Sequence, residues 1–263
     1  MDDSLSPPAF PHPYVTVDVA VLTVWQKQVH VLVIKTAAAP FAGHWALPGA
    51  FVQKGENITA AAGRALLLKT GVTEAIPHLE QLATFGDPAR DTRAPYDHVI
   101  SVAYFALVAA PGSELPDAPP LTPTPGGNAQ EAAWLPVEEA DGVLVSPAPL
   151  AFDHADILAT AIKRVRGKIE YNTLAHALLP DEFTLTELQT IYETIHGTPE
   201  DKRNFRKRML SLDILVSTNK QRRLGAHRPA ELFRFYSRES LDFSAVRARR
   251  GADGSLPADE RGQ

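Results

Sequence analysis

The most informative motif in the first part of the chain is Gly49-Ala50-Phe51-Val52-Gln53-Lys54-Gly55-Glu56. Arg64 and Gly71 follow this stretch at intervals of eight and then seven residues. Asn57 or Thr59 can cap the start of a helix, and Gly71 can end that helix in the left-handed conformation. The stretch therefore predicts a loop, a helix and a second loop.

Strand-like segments surround this stretch on both sides. Residues 14–25 alternate and are rich in Val, residues 29–34 repeat the pattern, and Gln26-Lys27-Gln28 can join the two as a hairpin. Three further segments are strand-like, at residues 79–84, 99–109 and 132–137. Six prolines between Pro111 and Pro125 indicate an irregular loop. The first half of the chain is thus predicted to mix strands with helix.

The stretch resembles the Nudix box, in which a loop, a helix and a loop bind magnesium and cleave nucleoside diphosphates linked to another group. Glu56, Arg64 and Gly71 have the spacing of that family, whereas Ala50 replaces the second glycine of its usual pair. The family also places three glutamates on the helix, and this chain has Ala65, Leu68 and Lys69 there. The resemblance therefore implies the Nudix fold but a changed helix.

The changed helix argues against metal-dependent hydrolysis. A hard divalent cation needs several oxygen ligands, and the three replacement side chains supply none. No Asp or Glu occurs between Asn57 and Thr73, so a shift of register cannot restore a ligand. We therefore predict no metal ligand and no catalytic residue, and we expect Glu56 and Arg64 to remain as an internal ion pair.

A Nudix-like pocket that has lost its hydrolase activity can still bind a nucleotide. The guanidinium groups of Arg90 and Arg93 follow a predicted strand and suit bidentate recognition of phosphate, although the same residues could be solvated loop charges. The predicted effector-binding residues are Phe51, Glu56, Arg64, Arg90 and Arg93. Their expected ligand is a nucleotide sugar.

The second part of the chain predicts a pair of capped helices. Thr184 and Glu187 have the spacing of a capping box, Gly197 can end the first helix, and Thr198 with Pro199 can open the second. Two short helices joined in this way are typical of a helix-turn-helix, whose second helix enters the major groove of DNA.

The second helix and the turn after it are basic. On a helical wheel Phe205, Met209 and Leu212 share one stripe, with Arg203 and Lys207 opposite it. A basic turn between two predicted strands, 214–218 and 230–236, would form a wing. The alternative is an ordinary solvated helix face. The predicted DNA-binding residues are Lys202, Arg203, Asn204, Arg206, Lys207, Lys220, Arg222, Arg223, His227 and Arg228.

Charge and composition agree with two functions in one chain. Residues 1–150 hold 7 Lys and Arg against 15 Asp and Glu, a net charge of −8, whereas residues 151–250 hold 18 against 13, a net charge of +5. A basic region suggests a polyanionic partner. The chain has no cysteine, which excludes disulfides and thiolate chemistry, and its longest apolar run is too short to cross a bilayer. We expect a soluble, cytoplasmic protein with no membrane partner.

Taken together, the sequence resembles the Nudix-related (NrtR-like) transcriptional regulators of bacterial NAD metabolism. The segments 183–189, 201–207 and 228–235 carry the resemblance most specifically. It implies an α+β fold, in which a Nudix-like α/β/α sandwich with a mixed sheet is followed by a winged helix-turn-helix. The expected divisions are a flexible arm at 1–13, an effector-sensing domain at 14–152, a connecting helix with the DNA-binding domain at 153–240, and a disordered tail at 241–263.

The same resemblance implies a function. We expect a homodimer that binds double-stranded, palindromic operator DNA, represses genes, and responds to ADP-ribose or a related NAD-derived nucleotide without a cofactor and without hydrolysing the ligand. NAD biosynthesis and salvage genes are the expected targets, although some relatives serve sugar utilisation. Two alternatives remain, a Nudix hydrolase of ADP-ribose with unconventional metal ligands, and a protein-interaction module without a DNA role.

Overall fold

The structure is a computed structural model that describes residues 12–37, 39–72, 76–93, 98–110, 121–140, 143–145, 149–223 and 229–253. Within these ranges, no helix combines the length and the apolar character that crossing a membrane requires. The strands are β1 Tyr14–Trp25, β2 Gln28–Thr36, β3 Trp45–Ala46, β4 Gly49–Phe51, β5 His78–Phe85, β6 Val99–Leu107, β7 Ala129–Pro136, β8 Glu138–Ala140, β9 Val143–Val145, β10 Phe183–Thr184, β11 Leu215–Arg222 and β12 Ala230–Phe235. The helices are α1 Ile58–Thr70, α2 His154–Ile169, α3 Leu185–His196, α4 Lys202–Ser211 and α5 Phe243–Asp253.

A mixed sheet of seven strands forms the centre of the first domain. Its main path runs β3-β2-β1-β6-β5, while β4 pairs with β1 and β7 pairs with β2. The strands β1 and β6 are parallel, and the other pairs are antiparallel. The predicted hairpin between β1 and β2 is confirmed, and Gln26 and Lys27 at its turn both have positive φ.

Both faces of this sheet are covered because β1 is apolar on both sides. Successive side chains of a strand point to opposite faces, and Val17, Val19 and Val21 pack with α1 while the even-numbered Ala20 and Leu22 pack with α2. The helix α2 presents its apolar stripe to the second face (Ile157, Leu158, Ala161, Ile162, Val165 and Ile169). The predicted α/β/α sandwich with a mixed sheet is therefore confirmed.

The helix α1 has the ends that its sequence predicts. The Asn57 side chain accepts hydrogen bonds from the backbone N–H groups of Thr59 and Ala60, so Asn57 and not Thr59 is the N-cap. Gly71 ends the helix at φ 66°, a left-handed conformation that glycine adopts without strain.

The C-terminal part is a winged helix. The strands β10, β12 and β11 form a small sheet in that order, and its apolar side chains share one core with those of α3 and α4. The capping box of Thr184 and Glu187 at the start of α3 is confirmed, and Gly197 ends that helix at φ 72°. The predicted start of α4 is wrong, because Asp201 and not Thr198 accepts the capping hydrogen bond, from the backbone N–H of Asn204.

The two parts share one continuous apolar core. It runs from the α2 face of the central sheet through α2 to α3, α4 and the small sheet. Two hydrogen bonds join α2 to α3, from the Tyr192 hydroxyl to the Ile169 carbonyl (3.1 Å) and from Arg166 Nε to the Ile195 carbonyl (2.7 Å). The helix α2 therefore both covers the central sheet and supports the winged helix.

The predicted disorder from residue 241 onward is wrong for part of that segment, which forms the helix α5. Val246 is fully buried, and Arg250 lies over the Tyr236 ring at 5.3 Å. Arg247 and Arg250 donate to backbone carbonyls of Leu212 (3.3 Å) and Asp213 (2.6 Å), just after α4. The arginines that suggested disorder thus bind the end of α4. Residues 1–11 of the predicted flexible arm and residues 254–263 of the predicted disordered tail lie outside the described residues.

Candidate functional site

A cavity of about 280 Å³ opens on the first domain between the central sheet, α1 and the loop after β5. Four of the five predicted effector-binding residues line it, namely Phe51, Arg64, Arg90 and Arg93. The lining also includes Lys69 from the changed helix face, and residues that the sequence alone did not indicate, among them Asp18, Asp91, Asn128, Phe152 and His154.

The floor of the cavity is a buried polar network around Asp18 on β1. Its carboxylate accepts hydrogen bonds from Ser101 Oγ (2.6 Å) and Arg90 Nη2 (3.3 Å), and His154 Nε2 lies 3.5 Å away. Burial by itself opposes ionisation, but His154, Arg90 and Ser101 together lower the pKa of Asp18 to about 2. Asp18 is therefore ionised across the physiological range.

Two neighbours fix the geometry of this floor. The Leu47 N–H donates to His154 Nδ1 (2.9 Å), so the neutral imidazole carries its proton on Nε2, which faces Asp18. Gly49 pairs with Asp18 across β1 and β4, and a Cβ at Gly49 would lie 2.0 Å from Asp18 Oδ1. Glycine at position 49 thus leaves room for the buried carboxylate.

Arg90 binds two carboxylates, those of Asp153 and Asp18. Its guanidinium forms a bidentate pair with Asp153, with Nε–Oδ2 2.8 Å and Nη2–Oδ1 2.7 Å, in addition to its contact with Asp18. Only 3% of its side chain is exposed. Arg90 therefore connects the cavity floor to the start of α2, and its predicted contact with an effector stays a prediction.

The expected ion pair of Glu56 and Arg64 is present. Arg64 donates to both carboxylate oxygens (2.6 and 2.7 Å) and to the Phe51 carbonyl (2.8 Å). The hydrogen bonds from Arg64, and one from the Gln53 N–H, lower the pKa of Glu56 to about 2. Arg64 lines the cavity, whereas Glu56 lies behind it, outside the lining. The pair fixes the loop that carries Phe51.

Arg93 and the rings of Phe51 and Phe152 form one wall of the cavity. The Arg93 guanidinium binds the Asp91 carboxylate (2.6 Å) and lies 5.8 Å from the Phe51 ring centroid and 4.7 Å from that of Phe152. Planar cationic and aromatic surfaces of this kind suit a ligand that combines a ring with a phosphate. No local signal in the sequence indicates Phe152, which lies 59 residues after Arg93.

The helix face that the Nudix resemblance assigns to carboxylates is altered. Ala65 is buried in the core, Leu68 is half exposed, and Lys69 donates a hydrogen bond to Asn128 Oδ1. Among the described residues, no cluster of three or more His, Asp or Glu side chains could hold a metal ion. The donor set around the cavity therefore does not fit the magnesium that the Nudix fold implies.

The second candidate site is the outer face of α4. Phe205 and Met209 are buried, and most of the other side chains of this helix are exposed. Of the predicted DNA-binding residues, five are exposed on α4 (Lys202, Arg203, Asn204, Arg206 and Lys207). Arg208 is held by Glu200 and lies over the Tyr192 and Phe205 rings, so its role is to anchor the helix.

The cations of the wing are partly engaged within the protein. Arg222 donates to Glu187 Oε1 (2.9 Å) and to the Glu182 carbonyl (2.9 Å), which ties the wing to α3. Lys220 pairs with Glu182 but stays exposed, and Arg223 is exposed. The DNA contacts of Arg222, Lys220 and Arg223 remain predictions, and those of His227 and Arg228 lie outside the described residues.

The fold and the two sites define a class of protein, a Nudix domain joined to a winged-helix DNA-binding domain. Comparison with known families agrees, because the NUDIX domain matches residues 15–161 and the NrtR DNA-binding winged helix domain matches residues 175–235.

Similarity to individual proteins identifies the family within this class. The chain is 36% identical over 240 residues to an "ADPR responsive transcriptional repressor NtrR" of Acinetobacter baylyi, a match that covers 90% of this chain and 88% of the relative. A crystal structure of NrtR from Shewanella oneidensis with a 27mer DNA has a TM-score of 0.66 and 31% identity, over 84% of this chain and 93% of that one. An "ADP-ribose pyrophosphatase" of Methanocaldococcus jannaschii is 33% identical over 59% of this chain and 77% of the relative. The chain belongs to the NrtR family of Nudix-related transcriptional regulators.

Proposed function

We propose that this protein is a transcriptional repressor whose affinity for DNA falls when ADP-ribose, or a related NAD-derived nucleotide, binds in the cavity. The observation that carries the proposal is the exposed basic face of α4 in a domain whose core is continuous with that of the cavity-bearing domain. The Acinetobacter relative, by its name a repressor responsive to ADPR, supports the choice of effector. The proposed targets are NAD biosynthesis and salvage genes.

DNA recognition would use α4 in the major groove. Its exposed cations can bind phosphates, and Arg203, Asn204 and Arg206 have the donor groups that read base edges. We propose a homodimer, because two copies of α4 spaced by about 34–36 Å match successive turns of a palindromic site. The protein would act in the cytoplasm, associated with the nucleoid when bound to DNA.

The helix α2 provides a route from the cavity to α4. It begins at His154, which lines the cavity floor. Its last carbonyl, that of Ile169, accepts a hydrogen bond from Tyr192 on α3, and Phe205 of α4 packs against Tyr192. A ligand that prefers one position of α2 would change the spacing of the two recognition helices in a dimer. A coupling of about 1–3 kcal/mol is enough to change operator occupancy many-fold.

The donor set of the cavity supports the proposal that the nucleotide is bound without being hydrolysed. Hydrolysis of a diphosphate in a Nudix site relies on a divalent cation, and Ala65, Leu68 and Lys69 supply no carboxylate oxygen to hold one. We therefore propose that the cavity senses the nucleotide and has no catalytic residue.

The test is a titration of fluorescent promoter DNA from the neighbouring operon with the full chain, with and without ADP-ribose. We expect specific binding that ADP-ribose weakens by about 5- to 150-fold. Binding indifferent to DNA sequence would favour the protein-interaction alternative. Affinity that ADP-ribose leaves unchanged would contradict the proposed effector.

A second function is favoured by one comparison, the similarity to the ADP-ribose pyrophosphatase of Methanocaldococcus jannaschii. It predicts magnesium-dependent release of AMP from ADP-ribose, through metal ligands outside the usual helix face. Incubation of the protein with ADP-ribose and Mg²⁺, followed by chromatography, tests this function. Product formation no faster than in a protein-free blank would exclude it.

A further inference from the structure

The altered face of α1 places a cation where the Nudix resemblance calls for metal-binding carboxylates. Lys69 is half-buried near the end of α1 and lines the cavity with Leu68 and Arg64. The neighbouring segment packs closely on this part of the helix, since the Gly126 N–H donates to the Lys69 carbonyl (3.3 Å). The Lys69 ammonium is held against Asn128 at the wall of the cavity.

The carboxylates near the cavity are already engaged by cations. Glu56 binds Arg64, Asp91 binds Arg93, and Asp18 binds Arg90. Taking one of these carboxylates as a metal ligand would weaken an ion pair of a half-buried or buried guanidinium, which is unfavourable. A divalent cation would in addition face the ammonium of Lys69 across the same space.

Lys69 differs from the three arginines of the cavity. Each arginine is paired with a carboxylate, whereas the partner of Lys69 is the neutral amide oxygen of Asn128, and no carboxylate pairs with it among the described residues. Burial, and then the charge of Arg93, lower the pKa of Lys69. Among the described residues that line the cavity, Lys69 is thus a cation whose partner is a neutral group and not a carboxylate.

We propose that Lys69 and Arg93 bind the diphosphate of the ligand directly, and that Lys69 replaces the divalent cation of the Nudix enzymes. The cavity is then a metal-independent site for a nucleoside diphosphate ester. Lys69 neutralises phosphate charge as a point cation, while the Arg93 guanidinium between Phe51 and Phe152 offers planar donors beside the rings. This inference rests on the proposed function, since it names how the effector is held.

The test is calorimetric titration of the full chain with ADP-ribose in two buffers, one with EDTA and one with Mg²⁺. The variant Lys69→Gln removes the proposed phosphate contact. Lys54→Gln removes the same charge from an exposed position on the adjacent loop, outside the cavity lining, and serves as the matched control. Thermal unfolding of each variant shows whether it is folded.

We expect the wild-type protein to bind equally in both buffers. Lys69→Gln should weaken binding about 10- to 100-fold, as removal of a charge-assisted hydrogen bond does, and Lys54→Gln should leave it unchanged. Lys69→Arg, which keeps the charge, should retain most of the affinity.

Three results would overturn the inference, and they are distinguishable. Binding that requires Mg²⁺, or that Lys69→Gln leaves intact while the protein stays folded, would refute the role of Lys69 and leave the effector standing. No binding of ADP-ribose in either buffer would refute the proposed effector and the inference together.

Discussion

Arg90 and Asp153 form a bidentate ion pair that ties the floor of the cavity to the start of α2, with N–O distances of 2.7 and 2.8 Å. The two residues are separated by 63 positions in the chain, and Arg90 also contacts Asp18 on the central strand. A ligand that displaces Arg90 therefore acts directly on the helix that supports the winged-helix domain.

We predict that the ion pair between Arg90 and Asp153 transmits the effect of the ligand to α2. Asp153→Asn should reduce the effect of ADP-ribose on DNA affinity, because α2 then loses the ion pair between its N-cap and Arg90, while Arg90 keeps its contact with Asp18. We expect the ratio of DNA dissociation constants with and without ADP-ribose to fall toward one. Asp156→Asn removes an exposed carboxylate from the first turn of the same helix and is the control. A ratio equal to that of the wild type in Asp153→Asn would refute the link.

The second prediction concerns pH. The pKa of Asp18 is lowered from 3.8 to about 2 in the folded protein, so its ionised form favours folding above pH 4. This contribution, about 2 kcal/mol, should be lost as the pH falls from about 4 to about 2. Urea unfolding at several pH values measures it. Asp18→Asn should be less stable at neutral pH and should lose less stability on acidification; an identical acid profile in both proteins would contradict the assignment.

The third prediction concerns α4. Replacing Arg203 and Lys207 by Ala should weaken operator binding and reduce its salt dependence, because removing one phosphate-binding cation lowers the slope of log K against log salt by about 0.9. Lys163→Ala changes an exposed cation on α2 and should have no effect. Fluorescence anisotropy at several salt concentrations measures both quantities. Unchanged affinity and slope in the double variant would exclude α4 from the DNA interface.

The fourth prediction concerns α5. Val246→Asp places a carboxylate at a fully buried position, so we expect a decrease of about 2–4 kcal/mol in the free energy of unfolding and weaker DNA binding. Ala248→Asp adds the same group at an exposed position of the same helix and should be nearly neutral. Denaturation and DNA titration of both variants provide the comparison. Equal stability of the two would show that α5 does not support α4.

Structural features that depend on residues close together in the sequence are predictable from it, whereas features that depend on distant residues are not. Caps such as Asn57, Gly71 and the Thr184–Glu187 box depend on a few neighbouring residues, and so the limits of α1 and α3 are predictable. The Glu56–Arg64 pair is predictable for the same reason, since both residues belong to one local motif.

The rest of the site depends on residues that only the fold brings together. Asp18, Arg90 and Asp153 come from three distant segments, and nothing near Arg90 in the sequence indicates that two carboxylates engage it. The helix α5 is not predicted because its arginines and small residues resemble a disordered tail. Its order comes from Val246 in the shared core and from arginines bound to the end of α4.

We propose that ligand binding in the cavity and DNA binding by α4 are energetically coupled. Because coupling is reciprocal, the most direct test is the dissociation constant of ADP-ribose, measured by calorimetry for the free protein and for the protein saturated with operator DNA. We predict that operator DNA weakens ADP-ribose binding by the same factor by which ADP-ribose weakens DNA binding, about 5- to 150-fold. Equal dissociation constants for the free and the DNA-bound protein would show that the two sites are not coupled.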